Sequence, residues 1–104
     1  MKNLAQYQAR AKIVKALAHP TRLLLVDELA RREYCVCELT EKAGADISTV
    51  SKHLSLLKNA GLVEDEKHGQ MVIYRIKTPC ILNFLSCVED VIKQQARNHM
   101  ALVE

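Results

Sequence analysis

A chain of 104 residues that is 49% apolar has room for one globular domain with its own core, taken here as residues 1–104. No run nears the ~18 uninterrupted apolar residues of a membrane span, and the start, MKNLAQYQARAKIVK, lacks the apolar stretch of a secretory signal. A soluble cytoplasmic protein with no membrane partner is therefore expected. The formal charge of +3 permits a polyanionic partner without requiring one, and four cysteines are too few for a disulfide scaffold. In a reducing compartment, clustered thiols point instead to reactive or metal-binding chemistry.

Only three glycines and two prolines punctuate the chain, and its apolar spacing is mostly helical, which predicts five helices and one hairpin. Leu4, Tyr7, Ala11, Val14 and Ala18 recur at three and four residues, so the first helix runs from about Leu4 to Ala18, with a stripe suited equally to a core or a dimer seam. Pro20 opens the second helix at a position where its missing N–H costs nothing. That helix continues through Leu23, Leu24, Leu25, Val26 and Leu29 to about Arg32, apolar enough to be the central one. The third covers Val36 to Ala43, with Val36, Leu39 and Ala43 inward, Cys35 as its N-cap and a turn at Gly44.

Asp46 caps the fourth helix, Ile47 to Ala60, which faces inward through Ile47, Val50, Leu54 and Leu57 and stops at Gly61. Two β-rich runs, Leu62 to Lys67 and Met71 to Ile76, flank His68, Gly69 and Gln70 and read as a hairpin. Thr78 caps a last helix beginning at Pro79, with Ile81, Leu85, Val88 and Ile92 in a heptad-like stripe extending towards Arg97.

Two short helices joined by a tight glycine turn and followed by a hairpin describe a helix-turn-helix with a wing. Its second helix is the one expected in a DNA major groove. At 100° per residue the outer face of the fourth helix carries Ser48, Thr49, Lys52, Ser55, Leu56 and Asn59, with Ser51 and His53 on the flanks. Short hydroxyls allow close approach to base edges, and Lys52 offers a cation to phosphate or guanine. The candidate DNA-contacting set is Ser48, Thr49, Ser51, Lys52 and His53, with Lys67, His68 and Gln70 on the wing. Leu56 counts against base readout along the whole helix, and an ordinary solvated face is the competing reading. Charge is unevenly distributed: Lys2, Arg10, Lys12, Lys15 and Arg22 precede the first acid, Asp27, while Glu64, Asp65 and Glu66 run together later. Solvated helix faces account for this more readily than a binding patch.

The stretch DISTVSKHLSLLKNAGLV followed by GQMVIYRI resembles the recognition helix and wing of the ArsR/SmtB family of winged-helix metalloregulatory repressors. ALAHPTRLLLVDEL resembles that family's second-helix signature, and the likeness extends from about Val14 to Ile92. The resemblance implies a mainly α winged helix-turn-helix, a homodimer through the first and last helices, and an operator with half-sites about one helical turn apart. His19 departs from the acidic or polar cap that often precedes the proline, and a capping or core role suits it better than a ligand role.

Cys35-Val36-Cys37 resembles the CVC element of the family's arsenic, antimony and cadmium/lead sensors. Residues two apart in a regular helix point ~200° apart, so sharing one ion requires one cysteine outside the helical turn, as a cap position permits. Free N–H groups at a helix start also favour the thiolate. Arsenic(III) takes three sulfurs, yet the family's third cysteine aligns with Thr40, leaving a small thiol, Cys80 or Cys87 to complete the set. Cys87 also reads as a buried structural cysteine, and Cys80 is open to either role. The family's zinc site on the last helix falls on Thr78, Cys80, Val91 and Gln94, which does not suit zinc.

These features predict a repressor that needs no cofactor to bind DNA and is released when arsenite or antimonite binds Cys35 and Cys37, distorting the helix that supports the recognition helix. Cadmium or lead, or oxidation and persulfidation of thiols, are the alternative signals. An enzyme is not expected, nor a small-molecule substrate. The residues six after each cysteine, Glu41, Ala43, Ser86 and Lys93, lack the arginine of a phosphate loop, and there is no C-x-x-C pair.

Overall fold

The computed structural model describes residues 3–103; Lys2 of the basic N-terminal set lies outside them. The element order is α1 (Leu4–Leu17), α2 (Pro20–Arg31), β1 (Tyr34–Cys35), α3 (Val36–Ala43), α4 (Ile47–Asn59), β2 (Val63–His68), β3 (Met71–Ile76) and α5 (Ile81–Val103). Local chemistry sets most of these boundaries. Asn3 and Gln6 cap α1 reciprocally, Pro20 sits in the first turn of α2, and the Asp46 carboxylate accepts the Thr49 N–H at 2.8 Å at the start of α4. Gly44 ends α3 at φ 65°, a left-handed conformation that a side chain resists, and this turn sends α4 across α3.

The sheet is three-stranded and antiparallel in the order β1-β3-β2. The two-residue β1, which the sequence does not announce, pairs Tyr34 with Tyr74 and Cys35 with Ile73. It is too short for any periodicity and exists through its partner strand. β2 and β3 pair from Val63↔Ile76 to His68↔Met71, so the hairpin loop is Gly69-Gln70 alone and His68 belongs to the strand. Gly69 takes φ 63°, and among the described residues no non-glycine has positive φ, which is the pattern of a type II′ turn.

One core unites the elements: Leu17, Leu25, Val26, Leu29, Tyr34, Leu39, Val50, Leu54, Leu57, Leu62, Val63 and Tyr74. The burial pattern overturns two expectations, the inward Ile47 and the helix start at Pro79, and resolves others. Ile47, expected inward, is 53% exposed at the first position of α4, before the buried Val50. In α2, expected to be central, Leu25, Val26 and Leu29 are buried while Leu23 and Leu24 leave one flank open. Of the two roles open to the α1 stripe, the core is not the one it fills, since Leu4 is 72% exposed and α1 joins the core through Leu17. Finally, α5 begins at Ile81 and not at Pro79. Residues 78–80 form a turn whose carbonyls accept the N–H groups of Ile81, Leu82 and Asn83, and the Thr78 hydroxyl donates to Gly61 O at 2.7 Å instead of capping the helix. Cys80 therefore precedes α5, and α5 runs past Arg97 to Val103.

Candidate functional site

The helix-turn-helix is α3, the Gly44–Asp46 turn and α4, with β2 and β3 as the wing. Val50, Leu54 and Leu57 anchor α4 in the core, which fixes its rotation and turns Ser48, Thr49, Lys52, Ser55, Leu56 and Asn59 to the surface. Ser51, Lys52, Ser55, Leu56 and Asn59 line one shallow depression along that face. Lys67, His68 and Gln70 are exposed at the wing tip.

His53 is held differently. Arg22 Nη1 lies 3.1 Å from its Nδ1, and the His19 ring packs against it with centroids 4.4 Å apart. A guanidinium can only donate, so His53 Nδ1 accepts and the ring is neutral with its proton on Nε2. Partial burial, the nearby His19 and the Arg22 charge together hold His53 below the usual imidazole range. His19 serves as the α2 cap, its Nδ1 accepting the Thr21 N–H at 3.0 Å, as expected of a capping histidine. Arg22 also donates through Nε to Ala16 O at 2.6 Å and so joins α1, α2 and α4. Periodicity along the chain does not place Arg22 at the site; its one signal in the sequence is membership of the acid-free N-terminal segment.

The acidic run of β2 is ion-paired within the fold. Arg75 reaches Glu64 at 2.9 Å, Glu66 at 3.2 Å and Glu33 at 3.6 Å, while Lys58 pairs with Asp65 at 2.9 Å. The hydrogen bond from Arg75 lowers the Glu66 pKa, and His68 lies 3.4 Å from the same carboxylate.

The cysteine pair sits where β1 becomes α3. Cys35 has an extended backbone, φ −81° and ψ 162°, and is the N-cap, while Cys37 is the second helical residue. Cys35 is buried and Cys37 exposed. Glu38 Oε1 accepts the Cys35 N–H at 3.0 Å, and its Oε2 meets Arg32 at 3.0 Å. These bonds pull the Glu38 pKa down to about 2. They also occupy one of the helix-start donors expected to be free for a thiolate. Arg32 stacks 3.7 Å from the Tyr34 ring centroid, and the Tyr34 hydroxyl donates to Glu28 at 2.8 Å, so the last turn of α2 is tied to the thiol segment.

The donor set supplies two sulfurs. Among the described residues no three histidine, cysteine, aspartate or glutamate side chains come together as a metal site, so neither Cys80 nor Cys87 joins Cys35 and Cys37 within one protomer. Both are exposed in the single protomer.

Residues 19–65, which hold α2, the thiol segment and the whole helix-turn-helix, match the family described as bacterial regulatory protein, arsR family. Over 99 residues the chain is 31% identical to the HTH-type transcriptional regulator Rv0081 of Mycobacterium tuberculosis, covering 94% of this chain and 87% of that one. The chain belongs to the arsR family. The crystal structure of Rv0081 superposes with a TM-score of 0.84 at 29% identity, over 94% of this chain and 99% of that chain. A transcriptional repressor SmtB homolog of Synechocystis is 35% identical over 92 residues, 88% of this chain and 70% of that one. A homodimeric winged helix-turn-helix DNA-binding domain, Mb0332 of Mycobacterium bovis, superposes with a TM-score of 0.79 at 32% identity, over 91% of this chain and 88% of that one. Membership of a family of regulatory proteins agrees with the expectation of a regulator and not an enzyme.

Proposed function

We propose that this arsR-family chain is a transcriptional repressor that binds operator DNA as a homodimer and releases it when a thiophilic metalloid, arsenite or antimonite, is captured by Cys35 and Cys37. The observation that carries the DNA reading is the outer face of α4, where hydroxyls and Lys52 project from a helix rigidly seated by Val50, Leu54 and Leu57. A second copy suits the exposed apolar side chains of α1 and α5, among them Leu4, Tyr7, Val14, Phe84, Val91 and Ile92. The homodimeric relative Mb0332 supports that assembly. A two-fold dimer sets two α4 helices about 34–36 Å apart, one turn of duplex.

The inducer reading rests on Cys35-Val36-Cys37 and its position. One sulfur is buried and one exposed, so bringing both onto one ion requires Cys35 to leave its packing or the first turn of α3 to open. Either change acts on α3, which packs against α4, and on β1, which pairs with the wing strand β3. A coupling of ~1–3 kcal/mol lowers operator affinity roughly five- to 150-fold. A small thiol supplies the third donor in this reading. The exposure of Cys37 and Cys80 favours thiol oxidation or persulfidation as the second reading.

The test is fluorescence anisotropy of reduced protein on a duplex from immediately upstream of its own gene, titrated separately with arsenite, cadmium and a persulfide donor. Cys35→Ser and Cys37→Ser keep operator binding, since serine is a favoured residue at the cap position of Cys35 and Cys37 is exposed, and neither variant releases on arsenite. Release of the unmodified protein by cadmium alone, or by the persulfide donor alone, replaces the metalloid reading with the corresponding alternative.

A further inference from the structure

The depression along α4 does not end at that helix. Leu56 and Asn59 also line a groove of about 360 Å³, whose remaining lining is Lys12, Lys15 and Ala16 of α1, Arg22 of α2 and Ala60. The two surfaces are continuous through these shared residues. No acidic side chain lines either of them. α1 and α4 carry five lysines and arginines between them and no acid. Of these, Lys58 alone has a carboxylate within ion-pair distance among the described residues, and Arg22 has none. Asp65 is the partner of Lys58, and the carboxylates of Glu28, Glu33, Glu38, Glu64 and Glu66 are engaged by other cations.

Like charges gathered without counter-charges repel one another, and a polyanion offsets that repulsion. Arg22 cannot swing away, because its guanidinium is bonded to Ala16 O and His53. An α-helix ~10–12 Å across fills a major groove ~12 Å wide, so side chains immediately beside the helix meet the sugar-phosphate backbone bordering that groove. We propose that the α1–α4 groove is a second DNA-contacting surface. It seats the backbone strand beside the major groove entered by α4, with Lys12 and Lys15 on phosphates and Arg22 as a fixed positive charge between them. Leu56, 49% exposed on an otherwise polar face, packs against deoxyribose carbons and the lysine stems line the same apolar floor. The basic N-terminal segment thereby acquires a function that its sequence alone did not disclose.

The inference rests on α4 as the recognition helix, and the experiment separates the two. Operator affinity is measured by anisotropy from low to high salt for the unmodified protein, Lys12→Gln/Lys15→Gln, Lys52→Gln and a control pair on other elements, Lys77→Gln/Lys93→Gln. The α1 pair is expected to flatten the slope of log affinity against log salt by about 0.9 for each phosphate that is no longer neutralised. It should weaken operator and unrelated duplex equally, since phosphate contacts carry no sequence information. A slope unchanged by the α1 pair while Lys52→Gln weakens binding removes the groove and leaves α4 in place. An equal effect from the control pair also overturns the groove, because it reduces the result to net charge. Absence of duplex binding by the unmodified protein overturns both readings.

Discussion

Leu54 and Leu56 stand two residues apart on α4, and the structure gives them opposite duties. Leu54 is fully buried and Leu56 is 49% exposed, as expected for side chains ~200° apart on one helix. Truncation to alanine removes the same three carbons at each position. At Leu54 the lost transfer free energy is about 2.4 kcal/mol, at ~0.8 kcal/mol per buried methylene. The space left among well-packed neighbours raises the total to about 3–5 kcal/mol. For a domain of this size each kcal/mol lowers the melting temperature by about 4 °C or more, so Leu54→Ala should melt at least ~12 °C below the unmodified protein. Leu56→Ala should fall within about 0.5 kcal/mol of it, near 2 °C. Thermal denaturation followed by circular dichroism, without DNA, reads the difference. Duplex binding measured well below the Leu54→Ala melt then locates the functional face: Leu56→Ala loses affinity without losing stability. Equal melting shifts for the two variants would refute the rotation of α4 on which the DNA interface depends.

The thiol segment makes an acid-sensitivity prediction. Glu38 has its pKa lowered from 4.5 to about 2, so the folded state favours its charged form. The stabilisation is complete above about pH 4.5 and is lost as the pH falls towards 2. Glu38→Gln should flatten that part of the stability-against-pH curve in urea titrations, and an unaltered acid limb would show that the Cys35 and Arg32 bonds do not form in solution. At the start of the recognition helix, Asp46→Ala removes the carboxylate that accepts the Thr49 N–H and should cost about 1 kcal/mol. A melting temperature within 1 °C of the unmodified protein would contradict that cap.

Features encoded within three or four residues were legible without any structure. Pro20, Gly44, Asp46 and Gly61 mark helix ends through their own backbone or side-chain chemistry, and the outer face of α4 follows from 3.6-residue periodicity. The cap position of Cys35 was legible for the same reason. The tertiary structure decided whatever depends on partners distant in the chain. β1 is two residues long and is defined by β3, the stripe of α1 reads alike as core or seam until the other elements leave it uncovered, and that of α5 divides between Ile81 and Leu85 against the core and the exposed Val88 and Ile92. Thr78 resembles a helix cap in sequence, but its hydroxyl is turned to donate to Gly61 O, a contact 17 residues away, and α5 starts later with Cys80 outside it. The joining of Arg22 to His53 spans 31 positions, and the meeting of Lys12 and Lys15 with Leu56 spans more than 40. Periodicity carries information along one helix, and the faces that two helices present to each other are fixed only when a common core locks their rotation.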